Sequence, residues 1–330
     1  MIVDIFAGGG GASTGIFIAT GLHPDYAVDL DADALKLHAA NHPSTEHLCQ
    51  DVRTLDLDLF RIQTPIRLLW LSPSCTAFSR ARLHRDLDTN LRGLAWVAVD
   101  WASKVRPETI ILENVEEFLD WEDWDAWCSA LISQGYLVEH RVLTAANFGV
   151  PTTRKRLFVI ARGLGKTIIW PEETHTKTQW VPVSRVLNFD IQCPSIFDLK
   201  PLSASVLARI RAGAETGEPF SLIQRGYGER SGQKPRVPGI HKPLGTLVAS
   251  GIKHYLVHYR QGLHAEKTQA LLGSTCFSDI GIRPLTIQEL YLAQGFPPNY
   301  KLTGTKTLQV HVVGNSVCPP LAAILVKANI

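Results

Sequence analysis

Apolar residues fall into two rhythms along the first half of the chain. Short runs of four or five, Ile2–Phe6, Tyr26–Leu30, Leu68–Leu71, Thr109–Leu112 and Leu157–Ala161, read as buried strands. Between them, Ser13–Thr20, Ala32–Asn41, Ala95–Val105 and Trp124–Gln134 carry helical spacing. This βαβα alternation predicts an α/β domain with a doubly wound, mostly parallel sheet covered on both faces. Past Arg162 the rhythm fails, and Pro, Gly and Thr become frequent until about Thr286. That stretch predicts a smaller, irregular, β-rich unit. Thr286–Gln294 and Pro320–Ala328 then read as helices that return to the first domain. The boundaries that follow are 1–163 with 284–330 for one domain and 164–283 for the other.

Composition narrows the class. With 330 residues, 45 % apolar and 19 % charged, the chain can bury a large core and is neither disordered nor fibrous. No apolar run approaches the ~20 residues of a membrane helix. The opening MIVDIFAGGG lacks the basic and apolar regions of a signal peptide, so a cytoplasmic protein without a membrane span is expected. Six cysteines are scattered singly, which fits reduced thiols and argues against a zinc ribbon or a disulfide framework. The net charge of +2 is uneven: Lys200–Arg260 holds ten Lys and Arg against three Glu and no Asp. Such a basic stretch in an otherwise acidic chain suits a phosphate-binding surface, and equally a solvated face.

Candidate chemistry sits where strands end. Asp4–Gly11 is a glycine-rich turn between a strand and a helix, where backbone can approach a ligand and free N–H groups face it. Asp29, at the end of the second strand, stands where a carboxylate can hold ribose hydroxyls, so an adenosine-containing cofactor is favoured over a plain tight turn. Cys75 follows the strand Leu68–Leu71 and is a nucleophile if its thiolate is favoured, or else a buried structural thiol. Glu113 follows Thr109–Leu112 and reads as a general acid or a helix cap. Arg154-Lys-Arg156 suits an anion or a solvated turn. His254 and His258, four apart, would share a helical face but lack the Glu of a zinc-binding HExxH, so no metal site is expected.

Taken in order, these words resemble the DNA (cytosine-5) methyltransferase family along nearly the whole chain. Asp4–Gly11 is similar to its cofactor loop, Ser72–Ser79 to its catalytic Pro-Cys loop, and Glu113-Asn-Val115 to its Glu-Asn-Val. Asn147–Arg156 resembles its Gln-x-Arg-x-Arg segment, Arg283–Pro297 its ninth motif and Gly314–Pro320 its tenth. The sequence departs from the pattern at Ser74, Thr76 and Thr152, around the reactive residues and not at them.

The resemblance implies a Rossmann-like S-adenosylmethionine-dependent fold with a target-recognition domain, acting on double-stranded DNA as a monomer in a bacterium or from a phage. It implies Cys75, Glu113, Arg154 and Arg156 as catalytic residues: Cys75 would add to C6 of a flipped-out cytosine, Glu113 would hold the N3/N4 edge, and Arg154 with Arg156 would hold O2. Phe6, Gly8, Gly9, Gly11, Asp29, Leu30, Asp51, Val52, Ser72, Leu94, Asn315 and Ser316 would bind the cofactor. Ser79, Arg80, Arg82 and Arg92 would meet DNA from a closing loop, and Tyr227, Arg230 and Thr246 from the basic segment. Arg209 and Arg211, on a helix beside it, are candidates for phosphate contact. An RNA cytosine methyltransferase and a catalytically silent DNA-binding regulator fit the same motifs; a nicotinamide dehydrogenase explains the glycines alone.

Overall fold

A computed structural model describes residues 1–62, 65–74, 93–225, 237–273 and 276–330. Its main sheet has seven strands: β1 (Ile2–Ile5), β2 (Tyr26–Asp29), β3 (Glu46–Cys49), β4 (Leu68–Leu71), β5 (Thr109–Asn114), β6 (Tyr136–Thr144) and β7 (Lys155–Gly163). Their spatial order is β3-β2-β1-β4-β5-β7-β6. All pairs among the first five are parallel, and β7 runs antiparallel between β5 and β6. The sheet is therefore doubly wound and mostly parallel, with a reversed strand that a purely βαβ reading leaves out. β3 and β6 also went unread in the sequence. Both lie at sheet edges, where half-exposed polar residues break the apolar run.

Helices α1 (Gly11–Thr20), α2 (Ala32–Asn41), α3 (Leu57–Ile62), α4 (Val97–Lys104) and α5 (Trp124–Ser133) connect these strands. Side chains alternate across the pleat as the period of two requires. Val3, Ile5, Leu69, Leu71, Ile110 and Leu112 pack with Trp101 and Trp127 of α4 and α5 on one face. Ile2, Leu68, Trp70, Ile111 and Phe158 pack with α1 and the last helix on the other.

Beyond β7 lie α6 (Ala204–Ala214), β8 (Phe220–Gln224), β9 (His254–Arg260), α7 (Ala265–Leu272) and β10 (Asp279–Pro284). The three strands form a separate antiparallel sheet, ordered β10-β9-β8. The chain then returns through α8 (Ile287–Ala293), α9 (Lys306–Asn315) and α10 (Pro319–Asn329). Val183, Leu244, Leu247 and Leu256 share one apolar cluster with Leu37 of α2, Tyr291 of α8 and Val313 of α9, so the second unit is packed onto the first. No single described helix is long and apolar enough to cross a membrane.

Strand order reverses between β1 and β4, and a crevice opens beyond their carboxyl ends, the usual ligand position in such sheets. The glycine turn after β1, Ser72–Ser74 after β4 and Glu113 near the end of β5 all meet there.

Candidate active site

A cavity of about 410 Å³ fills this crevice, and all twelve residues expected to bind a cofactor line it, together with Glu113, Arg154 and Arg156. Asp29 shapes one wall. Its Oδ2 accepts the Gly8 amide at 2.8 Å and its Oδ1 the Asp31 amide at 2.9 Å, which leaves further lone pairs for a diol. Burial raises this carboxyl above its ordinary value, against the pull of those amides. Asp51 caps a short turn through the Arg53 amide and pairs with the Arg53 side chain, Oδ2 to Nη2 at 2.6 Å, which brings its carboxyl down to about 2. At the opposite wall the Asn315 amide donates to His311 Nε2 at 3.1 Å. Neither Arg53 nor His311 stood out in the sequence, yet both line the cavity. The available signals were Arg53 standing two residues after Asp51, and the four-residue spacing of His311 and Asn315.

This wall suits S-adenosylmethionine: the chain offers carboxylates to a diol and a cationic ligand, and apolar Val52, Leu30 and Leu94 to a flat ring.

The inner end of the cavity is chemically different. Glu113, 5 % exposed, lies with Oε1 3.2 Å from Arg156 Nε. Burial pushes its carboxyl up, while Arg156 and Arg154 pull it down, and burial prevails. Burial thus favours the protonated form, the form that can present a proton to a ring nitrogen. Asn114 donates to the Pro73 carbonyl at 3.3 Å, and so anchors the stem of the Cys75 loop to the end of β5. Cys75 itself lies outside the described residues, as do Ser79, Arg80, Arg82, Arg92, Tyr227 and Arg230. Among the described thiols, Cys318 is buried and pushed up to about 11.

Two arginines expected to act alike are divided. Arg156 faces Glu113, but Arg154 is buried and donates through Nη1 to the carbonyls of Gly314 at 3.0 Å and Leu247 at 3.5 Å. Leu247 lies in a strap, residues 244–249, that is bonded to the same segment further back: Thr153 N donates to Leu244 O at 2.8 Å, and Leu244 N to Pro151 O at 2.9 Å. Thr246 is half-buried within this strap, beside the arginine segment. Gly314 packs directly beneath it, where a Cβ would sit 2.5 Å from the Val248 carbonyl carbon. Thr152, one of the departures from the usual pattern, is fully buried and bridges Leu244.

Two other expectations change. Arg209 is only 6 % exposed, on the inner face of α6, and cannot reach a phosphate; Arg211 is exposed and donates to the Leu271 carbonyl at 2.7 Å. His254 and His258 lie on β9 and not on a helix, so their four-residue spacing corresponds to about 13 Å.

The pattern of the C-5 cytosine-specific DNA methylases matches residues 1–330. The chain belongs to that family. This methylase is 31 % identical over 371 residues to the type II methyltransferase M.SacI of Streptomyces achromogenes, covering 99 % of this chain and 92 % of the relative. It is 27 % identical over 351 residues to the type II methyltransferase M1.HphI of Haemophilus parahaemolyticus, covering 99 % and 85 %. A solved putative DNA modification methyltransferase from an E. coli prophage shares the fold of the methylase, with a TM-score of 0.66, 19 % identity, and 99 % and 97 % of the two chains covered. The methylase is an S-adenosylmethionine-dependent DNA (cytosine-5) methyltransferase.

Proposed function

We propose that Cys75 is the nucleophile of this reaction and that Glu113 and Arg156 are the groups that activate the target base. The reading is supported above all by the Glu113–Arg156 pair, 3.2 Å apart at the inner end of the cofactor cavity. Cytosine C5 is too electron-poor to be methylated directly. The Cys75 thiolate adds to C6, and the protonated Glu113 donates to N3 as negative charge develops on the ring. Arg156 holds Glu113 and the O2 side of the base, and C5 becomes the nucleophile. S-adenosylmethionine, when bound, supplies the electrophilic methyl group. Loss of the C5 proton then expels Cys75. C6 is hidden within a duplex, so the base must first be flipped out. Arg154, which lines the same cavity, is bonded to two backbone carbonyls and braces this end of the site.

Asp29 and Asp51 with Val52 serve the ribose and adenine ends of the cofactor, and residues 164–283 read the target sequence. The named relatives are type II methyltransferases, which supports a role in restriction–modification in a bacterial cytoplasm. The test is covalent capture. A duplex carrying 5-fluorocytosine at the target, with S-adenosylmethionine, traps wild-type protein as a stable adduct because fluorine blocks the final elimination. Cys75→Ser gives none. An adduct that persists in Cys75→Ser and maps to another cysteine refutes the assignment.

A further inference from the structure

Four histidines that play no part in the chemistry above gather behind the glycine turn. His38 of α2 and His42, which caps the end of that helix, are almost fully buried, with ring centres 4.6 Å apart. They press on the turn from below. Gly10 caps α1 in the left-handed region at φ 88°, and a Cβ on it would sit 3.0 Å from both imidazoles. His38 Nε2 bonds the Ser13 hydroxyl at 2.9 Å, and that hydroxyl donates to the buried Asp4 carboxylate at 2.6 Å. His42 Nε2 bonds the Thr14 hydroxyl at 3.2 Å. The first turn of the helix that faces the cofactor is thus held by two imidazoles.

The pair reaches solvent through two more rings. His38 Nδ1 meets His47 Nε2 of β3 at 2.8 Å, and His42 Nδ1 meets His23 Nδ1 at 2.8 Å. Each of these nitrogen pairs needs one proton and one lone pair, so a second proton has no acceptor there. The other ionisable groups that face the cluster are Asp4 from β1, with Asp29 of β2 acting on it, and Tyr300, whose hydroxyl donates to the Gly9 carbonyl. Burial keeps His42 down at about 4 and His38 well below its ordinary value, aided by the other histidines. Asp4 is pushed up to about 7 by burial, so it offers little compensating charge in mild acid.

We propose that His38 and His42 are positioning residues for the cofactor: as neutral imidazoles they hold Gly10, Ser13 and Thr14 in the binding shape, and protonating the pair withdraws it. The inference rests on the assignment of this cavity to S-adenosylmethionine, and the test separates the two.

S-adenosylhomocysteine is titrated calorimetrically into the full chain between about pH 7.5 and about pH 4, a range that reaches the lowered value of His42. Asp4 and Asp29 also gain protons toward low pH and weaken binding in every variant, so the difference between variants is the readout. His42→Asn keeps a neutral hydrogen-bonding group in place of Nδ1. Its Kd should rise about twofold less across this range than that of wild type. His23→Ala opens the outer end of the cluster to water, and should move the fall in affinity to higher pH. Superimposable curves for wild type and His42→Asn overturn the proposal. If His42→Asn does not fold, an unmoved curve in His23→Ala overturns it instead. Absence of binding even at about pH 7.5 in wild type overturns the cofactor assignment and this inference with it.

Discussion

Glu113 shows how much a single side chain depends on where the fold puts it. On a surface it would be ionised at neutral pH; here burial raises its pKa against two arginines. Its proton is present below that raised value and is lost as pH climbs through it, so turnover should decline as pH rises through that value. Glu113→Gln should bind DNA normally, lose about 10²–10⁴-fold in single-turnover rate and show no such decline. Rapid-quench measurements across pH check both points. The carboxylate's place was legible because it stands in a contiguous word at the carboxyl end of a strand, although that strand runs to Asn114 and not to Leu112. The division between Arg154 and Arg156 was not, because the carbonyls of Gly314 and Leu247 that claim Arg154 lie far away in the chain. Arg209 misled for the same reason: its charge is in the sequence, but its burial is decided by the packing of α6. Arg154→Lys keeps the charge but replaces the planar guanidinium whose Nη1 meets both carbonyls by a differently placed ammonium, and should cost about 1.5–3 kcal/mol in urea unfolding.

Among the elements, the entry to α8 is the most heavily bonded joint. Arg283 at the end of β10 and Glu289 in α8 form a two-pronged pair at 2.7 and 2.8 Å, with side chains 5 % and 3 % exposed. Glu289 also accepts the amides of Thr286 and Asn188, closing a capping box. Burial raises the Glu289 carboxyl, but Arg283 and those amides outweigh it and leave it below its ordinary value. Its contribution is therefore complete above the ordinary glutamate range and is lost as pH falls through the lowered value. Arg283→Ala leaves a buried carboxylate uncompensated and should destabilise by about 3–5 kcal/mol, read from denaturant midpoints. The Thr286 start of this helix was visible in sequence because a capping box is local. The strands of the small sheet were not, since their apolar residues satisfy an antiparallel packing that no single window reveals.

At the scale of the whole molecule, the cofactor cavity belongs to the main sheet, whereas sequence recognition is expected of the basic unit beyond β7. Arg230→Ala should therefore relax target preference, costing about 1–3 kcal/mol against the cognate duplex and little against a scrambled one. Paired titrations of the two duplexes at several salt concentrations measure this. The strap from Leu244 to Ala249 imposes a further condition. It is bonded to the arginine segment, and Gly314 leaves no room for a side chain beneath it. Anyone exchanging recognition units between relatives must cut outside that strap, because a junction within it would join two backbones matched to different partners. A side chain at position 314 would meet the same limit from the other side, because a Cβ there overlaps the backbone of Val248 and Ala249.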